Sequence, residues 1–144
     1  MILLKSRDEI DKMRTTSVIV AEILADGRRQ GRPGGTTADL DAVAEERTHK
    51  KQAKPAFKGY VVGGRTFPAC ICLSINDEVV HGIPSRARTL RDGDIIGLDF
   101  GVCYQGYYGD AAVTIPVGTV GPEAQRLMDV TRASLDAGIA AVRP

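Results

Sequence analysis

The feature that most constrains the fold is an apolar, β-rich segment at residues 97–117, GLDFGVCYQGYYGDAAVTIPV. Two runs rich in aromatic and β-branched residues flank the dipeptide Gln105-Gly106, and a glycine at this point is typical of a two-residue hairpin turn. With such a turn, Tyr104 pairs with Tyr107 in a β-hairpin. A four-residue loop would keep this register, whereas a loop of odd length would break it. Other elements of the chain must cover at least one face of this hairpin.

The predicted hairpin carries two aspartates on one face. Because successive side chains point to opposite faces of a strand, Asp99 faces away from the bulky apolar residues of its own strand. The predicted register sets Gly101 opposite Asp110 and Asp99 opposite Ala112. The aspartates are then diagonal neighbours with backbones about 7–8 Å apart, so their side chains can converge. The apolar face of the strand consists of Ile96, Leu98, Phe100 and Val102.

Two converging carboxylates repel each other, and this raises the pKa of one of them unless a cation lies between them. Carboxylate oxygens suit Mg, Mn, Fe, Co or Zn, and a pair on rigid strands can hold one such ion or share two. The same aspartates could instead accept hydrogen bonds from backbone amides near the turn. The spacing alone leaves both interpretations open, and two carboxylates do not complete a metal site.

Three helices are predicted, and two of them are expected to pack on the sheet. Ser6 and Glu9 form a capping box that begins the first helix, and Thr37 is predicted to cap the second. Gly121 and Pro122 begin the third. The residues predicted to face the core are Ile10, Met13, Ser17, Val20, Ala21 and Leu24 in the first helix, Leu40, Val43 and Ala44 in the second, and Leu127, Thr131, Leu135, Ile139 and Val142 in the third.

Short apolar runs separated by Gly and Pro lie between the second and third helices. The runs ACICLSI and EVVHGIP, together with the two hairpin strands, predict an antiparallel sheet. The predicted fold class is therefore α+β, with helices packed on an antiparallel sheet. Residues 1–144 are predicted to form a single domain.

The ends of the first and third helices share a sequence pattern. Residues 24–33 read LADGRRQGRP and residues 135–144 read LDAGIAAVRP, so both follow L-x-x-G-x-x-x-x-R-P. Helix ends favour Gly followed by Pro, so a match this short could also arise by chance. The functional interpretation is that a second copy of the unit begins at the third helix, residues 121–142, and that the sequence is half of a duplicated fold.

Composition narrows the classes of function. The chain has 19 lysines and arginines, 18 aspartates and glutamates, and a net charge of +1, so no surface for nucleic acid is expected. No segment reads as a signal peptide or a membrane span, and we expect a cytoplasmic protein with no membrane partner. Cys70, Cys72 and Cys103 form no zinc framework, so they are expected to be reduced thiols.

His81 is a further candidate for chemistry. It lies in NDEVVHGIP, at the predicted end of a strand and before a Gly-Ile-Pro turn, where loops commonly carry functional residues. A lone histidine is more often a packed, hydrogen-bonded side chain than a catalytic one. The sequence by itself leaves this choice open.

Four segments together resemble type I methionine aminopeptidases: SRDEIDKMR, PGGTTADLD, SINDEVVHGIP and GDIIGLDFGVCYQGYYGDAAVTIPVG. They occur in that family's order and spread over almost the whole chain. X-Pro aminopeptidases and prolidases, which have the same pita-bread fold, share the two aspartates but match the helix start and the HGIP segment less well. The resemblance implies an M24 metallopeptidase that removes the N-terminal methionine from newly made proteins by hydrolysis.

The resemblance also implies roles for individual residues. Asp99 and Asp110 are expected to bind two divalent ions of the Co, Mn, Fe or Zn class, with Asp110 bridging both. His81 is expected to be a catalytic residue that contacts the scissile amide or leaving group of a peptide or nascent-protein N-terminus. The residues that fall where the family lines its methionine pocket are Phe57, Tyr60, Phe67 and Cys72, and the alternative is that they belong to the core.

The departure from the family is large. The family takes its other metal ligands, a histidine and two glutamates, and a second substrate-contacting histidine from the second half of its fold, which this sequence does not contain. We therefore expect the chain alone to be inactive and a complementing C-terminal half to be its partner. Two alternatives are a non-catalytic module of the same fold that docks a partner, and an X-Pro aminopeptidase or dipeptidase.

Overall fold

The computed structural model describes residues 3–143, which form three helices, a four-stranded antiparallel sheet and a small two-stranded hairpin. The α+β class predicted from the sequence is confirmed. The helices are α1 (Arg7–Gln30), α2 (Thr37–Lys50) and α3 (Pro122–Ala141). The strands are β1 (Lys54–Pro55), β2 (Val61–Val62), β3 (Arg65–Thr66), β4 (Ile71–Ile75), β5 (Ile95–Tyr104) and β6 (Tyr107–Pro116).

Strand β5 is the centre of the sheet. Strand β6 pairs with one edge of β5 over its whole length, while β4 and β1 pair with successive parts of the other edge. The predicted hairpin register is confirmed, with Tyr104 opposite Tyr107. Gln105 and Gly106 have φ angles of 51° and 83°. Positive φ at both central residues matches the twist of the flanking strands and fixes this register.

Helix α1 covers one face of the sheet. The side chains of Ile96, Leu98, Phe100 and Val102 on that face are all 0% exposed, as the alternation in β5 predicted. The buried face of α1 consists of Thr16, Ile19, Val20, Ile23, Leu24 and Gly27. The sequence prediction for α1 was therefore right at Val20 and Leu24 but wrong at Ile10, Met13, Ser17 and Ala21, which are exposed.

The buried face of α1 differs from the predicted face because α1 contacts β6. An added Cβ at Gly109 would lie 3.1 Å from the backbone of Thr16, so helix and strand meet at this glycine. Thr16 is buried at this contact, and its hydroxyl is satisfied there by donating to the carbonyl of Lys12 within the helix, at 2.9 Å. Ile10 and Met13 lie in the first turns of α1, before this contact, and their side chains remain exposed.

Helix α2 begins one residue earlier than predicted. Its N-cap is Thr36, whose hydroxyl accepts from the Asp39 amide at 3.2 Å, while the Asp39 carboxylate accepts from the Thr36 amide at 2.8 Å. Thr37 is instead fully buried, and its hydroxyl bonds the backbone of Ser85. The buried positions of α2 include Leu40 and Ala44 as predicted, whereas Val43 is only half-buried.

We predict that Thr36→Ala lowers the free energy of unfolding by about 1 kcal/mol, since it removes the side-chain acceptor that begins α2. Thr36→Ser retains a hydroxyl and is the matched control, for which we expect a change within about 0.5 kcal/mol. Urea denaturation of the three proteins provides the measurement. An equal loss in both variants would contradict the capping role of Thr36.

Helix α3 contradicts the sequence prediction. None of its residues is buried, and the side chains predicted to face the core are exposed, including Leu127 at 59% and Leu135 at 57%. The exposed residues of that predicted face are Leu127, Thr131, Leu135, Ile139 and Val142. The prediction was wrong because no element within residues 3–143 covers this face of the helix.

Two further expectations concern the chain as a whole. Within the described residues, no helix is both long enough and apolar enough to cross a membrane. Cys70 and Cys72 are buried, Cys103 is half-buried, and all three are free thiols.

Candidate metal centre

The face of the sheet opposite α1 carries both aspartates. Asp99 lies opposite Ala112, and Asp110 on β6 lies opposite Gly101 on β5. Asp99 is half-buried and Asp110 is exposed. Because residues paired across antiparallel strands point to the same face, the two carboxylates are diagonal neighbours. The small residues Gly101 and Ala112 leave space beside them.

The charge of Asp110 acts on Asp99. Burial raises the pKa of Asp99, the negative charge of Asp110 raises it further, and His81 acts in the opposite direction. Cys72 pairs with Asp99 across β4 and β5, and the same negative charges act on its thiol. Burial, followed by the charges of Asp99 and Asp110, raises the pKa of its thiol to about 11. Both acids therefore direct their charge towards one region of this face.

Neither Asp99 nor Asp110 accepts a hydrogen bond through its side chain from any residue in the range 3–143. Asp41 contrasts with them, because its carboxylate accepts from the amides of Cys70 and Ile71 at 2.8 and 3.3 Å. The interpretation of Asp99 and Asp110 as acceptors of turn amides thus finds no support. Their carboxylate oxygens are free to bind a cation, and hard divalent ions prefer such oxygens.

The described part of the chain does not complete a metal site by itself. Residues 3–143 contain no group of three or more His, Cys, Asp or Glu side chains arranged to hold a metal ion. Two carboxylates are fewer ligands than the first-row divalent metals normally take. Asp99 and Asp110 can therefore form only part of a metal centre.

We predict that Asp99→Asn raises the free energy of unfolding of the metal-free chain. The amide removes the repulsion from Asp110 and is easier to bury than a carboxylate. Urea denaturation in the presence of a chelator at neutral pH measures the change. Asp77→Asn, at an exposed aspartate of the loop after β4, is the control and should leave stability unchanged. A less stable Asp99→Asn would mean that the carboxylate has a stabilising partner.

His81 lies on the loop between β4 and β5. The predicted strand EVVHGIP does not form, and Val79 and Val80 are 85% and 58% exposed. Val80 and His81 have φ angles of 43° and 53°, in the left-handed region and outside the region of regular strands. His81 is exposed, and its charge lowers the pKa of Asp99. The structure thus brings His81 to the face of the aspartates, although from a loop and not from the end of a strand.

The four residues predicted to line a pocket differ in their positions. The ring of Phe57 lies against Gly101, where an added Cβ would be 3.0 Å from the ring, and it packs edge-to-face on Phe67 at 6.5 Å between centroids. Cys72 is buried beside Asp99. Tyr60 differs because it is 65% exposed. Phe57 and Cys72 therefore border the candidate centre, Phe67 packs behind Phe57, and Tyr60 has no described side-chain contact with the centre.

Sequence reasoning missed the residues that fix the His81 loop. Arg88 and Glu78 form an ion pair across this loop, and Thr37 bonds Ser85. No local spacing could indicate these contacts, since they join residues 10 and 48 positions apart. The only signal in the sequence was Arg88 itself, a charged residue close to the apolar Leu90 in a loop next to a candidate site.

The comparisons with known proteins agree with this geometry. The model of metallopeptidase family M24 matches residues 11–144. The methionine aminopeptidase of Aquifex aeolicus is 45% identical over 136 residues, which cover 93% of this chain and 53% of that protein. That of Clostridium acetobutylicum is 49% identical over 139 residues, covering 96% and 54%. The chain thus spans about half the length of the curated relatives it matches.

Solved structures give the same result. The crystal structure of methionine aminopeptidase from Thermotoga maritima matches with a TM-score of 0.93 at 40% identity, over 100% of this chain and 56% of that chain. Escherichia coli aminopeptidase P in complex with substrate matches with a TM-score of 0.82 at 23% identity, over 99% and 30%. The second likeness concerns the fold alone. The M24 family predicted from the four sequence segments is confirmed.

Proposed function

Because this chain belongs to metallopeptidase family M24, we propose that it forms the N-terminal part of a methionine aminopeptidase. The reaction is removal of the N-terminal methionine from newly made proteins by hydrolysis of the first peptide bond. One observation carries the proposal: Asp99 and Asp110 share the open face of the sheet without hydrogen-bond partners among residues 3–143. The relatives named for this activity are 45% and 49% identical to the chain.

Membership of a metallopeptidase family implies divalent metal ions, and the residues present fit them. Two unpaired carboxylates on one rigid hairpin supply oxygen ligands, and burial together with mutual repulsion favours a cation between them. We propose that Asp99 and Asp110 hold two ions of the Co, Mn, Fe or Zn class. Such ions, when bound, make water a stronger nucleophile near neutral pH and stabilise negative charge on a carbonyl oxygen.

The other residues of this face have roles in orienting the substrate. His81 would donate a hydrogen bond to the scissile amide or the leaving group, because it is exposed and lies within electrostatic reach of Asp99. Phe57, Phe67 and Cys72 would form an apolar wall that suits the unbranched thioether of methionine. Tyr60, which is 65% exposed, would join this wall only after a change of its surroundings.

Helix α3 supports the proposal that a second unit completes the site. When Leu24 is aligned with Leu135, the last residues of the two helices, Gln30 and Ala141, coincide. The buried face of α1 then corresponds to an exposed face of α3. The aligned pairs are Thr16 with Leu127, Ile19 with Val130, Val20 with Thr131, Ile23 with Ser134, Leu24 with Leu135 and Gly27 with Gly138.

The glycines in this alignment are informative. A Cβ at Gly27 would lie 2.6 Å from the end of the Leu98 side chain, so the glycine allows α1 to pack closely on β5. Gly138 has no atom within 4 Å of its added Cβ, although it occupies the equivalent position in α3. We infer that α3 is built to pack on a second sheet as α1 packs on the first, and that this second unit supplies the remaining metal ligands.

The test is release of methionine from a Met-Ala peptide in the presence of Mn²⁺ or Co²⁺. The chain is assayed alone and together with the second half of the Aquifex aeolicus relative, produced as a separate polypeptide. We expect release only in the mixture and only with metal. Absence of release in every mixture, while the intact Aquifex aeolicus enzyme is active, would reject the proposal. An Xaa-Pro peptide is the comparison substrate, and its preferential cleavage would favour an X-Pro aminopeptidase.

A further inference from the structure

Arg88 joins three segments around His81. One nitrogen of its guanidinium donates to the carbonyl of Leu73 on β4 at 3.1 Å and to the carbonyl of Ile83 at 2.7 Å. A second nitrogen of the guanidinium pairs with the carboxylate of Glu78. Glu78 in turn accepts from the amide of Ile75 at 2.8 Å. The loop is thus tied to β4 on both sides of His81, by one largely buried guanidinium.

The conformation of the loop requires such restraints. Val80 and His81 are consecutive non-glycine residues in the left-handed region, with φ angles of 43° and 53°. This conformation is unfavourable for residues with a Cβ, and such residues persist only where surrounding contacts determine them. Neither side chain offers compensation through burial, since Val80 is 58% exposed and His81 is also exposed. The restraint must therefore come from the neighbouring residues.

Gly82 brings His81 against β4. The carbonyl of Gly82 accepts from the Leu73 amide at 2.9 Å, and its amide donates to the Ser74 hydroxyl at 3.3 Å. An added Cβ at Gly82 would lie 2.0 Å from the Leu73 carbonyl oxygen, so only glycine fits here. That same Leu73 carbonyl accepts from Arg88. Cys72 lies two residues before Ser74 on β4 and pairs with Asp99.

We propose that Arg88 is the positioning residue for His81. Its guanidinium links Glu78 and Ile83, on either side of His81, to Leu73 on β4, and so holds the imidazole over the face that carries Asp99. Lysine cannot replace it fully, because a single ammonium lacks the planar set of donors that serves two carbonyls and a carboxylate together. The role of His81 in turnover rests on the proposed function, whereas the positioning of His81 by Arg88 does not.

The first test measures the position of His81 without any activity. The variants are Arg88→Met, Arg88→Lys and the control Arg86→Met, which alters an exposed arginine of the same loop. In the isotope-labelled chain we expect the amide order parameter of His81 to fall from about 0.85 to below about 0.6 in Arg88→Met. Arg88→Lys should lie between the two, and Arg86→Met should match the unmodified chain.

A folded Arg88→Met in which His81 keeps its order parameter and its positive φ would overturn the proposal. If Arg88→Met does not fold, Glu78→Gln decides the question. It removes the charge that pairs with Arg88 but retains an acceptor for the Ile75 amide. A partial fall of the His81 order parameter in Glu78→Gln supports the positioning role, and an unchanged value overturns it.

The second test measures turnover of Met-Ala in the mixture with the second half of the Aquifex aeolicus relative. We expect Arg88→Met to lower kcat about 10- to 100-fold while KM changes by less than about twofold, and Arg88→Lys to restore part of kcat. An unchanged kcat would overturn the role of Arg88 in turnover. If the unmodified mixture releases no methionine, the proposed function fails, whereas the order parameters still decide whether Arg88 positions His81.

Discussion

Asp110→Asn is expected to abolish metal-dependent release of methionine, with a loss of more than about 100-fold in kcat/KM. Changing a residue that merely orients a metal ligand typically costs 10- to 100-fold, and a ligand itself should cost at least as much. The substitution keeps the size of the side chain but removes its charge, so the exposed position of Asp110 should tolerate it without loss of fold. The measurement is the Met-Ala assay with the complementing half, over a range of Mn²⁺ concentrations.

The control for this prediction is Asp77→Asn, an isosteric change at an exposed aspartate outside the candidate centre. It should retain the activity of the unmodified chain at every metal concentration. A decrease in both variants would indicate a general effect of charge on association with the second half. Full activity of Asp110→Asn would exclude Asp110 from the metal centre.

Phe100→Ala is expected to lower the free energy of unfolding by about 3–5 kcal/mol. Phe100 is the largest of the fully buried side chains and lies at the middle of β5, between Ile71 on β4 and Ala111 on β6. Its removal leaves a cavity under α1 that the paired strands cannot close. Because small domains are stable by only about 5–15 kcal/mol, this single change should bring the chain close to unfolding at room temperature.

Urea denaturation followed by circular dichroism measures this loss, and Thr114→Ala provides the comparison. Thr114 lies on β6 with its side chain on the open face, where it is exposed. Its truncation should change the free energy of unfolding by less than about 0.5 kcal/mol. Comparable losses at Phe100 and Thr114 would contradict the division of the sheet into a covered face and an open face.

The hairpin could be predicted because its information is local. A two-residue turn at Gln105-Gly106 determines every pairing between β5 and β6, and a shift by one residue would turn the apolar side chains towards the open face. The shared face of Asp99 and Asp110 followed from this register alone. The capping box of α1 was equally local, since Ser6 and Glu9 bond each other's backbone.

The errors lie where distant contacts decide the outcome. Thr37 has the residue type of an N-cap, but it is buried against Ser85, and the neighbouring Thr36 takes the capping role. His81 was expected at the end of a strand, whereas Gly82 and Arg88 bind its loop to β4 in a conformation that excludes pairing. The periodicity of α3 was read correctly as an apolar face, but periodicity does not say what covers such a face.

Binding of Mn²⁺ to the isotope-labelled chain tests most directly whether the two strands aim both carboxylates at one cation. Paramagnetic broadening should appear first at Cys72, Gly101 and Ala112, which surround Asp99 and Asp110 on the open face. Signals of Leu24 on the covered side should persist, and the effect should disappear when both aspartates are changed to asparagine. Equal broadening in that double variant, or broadening centred elsewhere on the chain, would contradict the account.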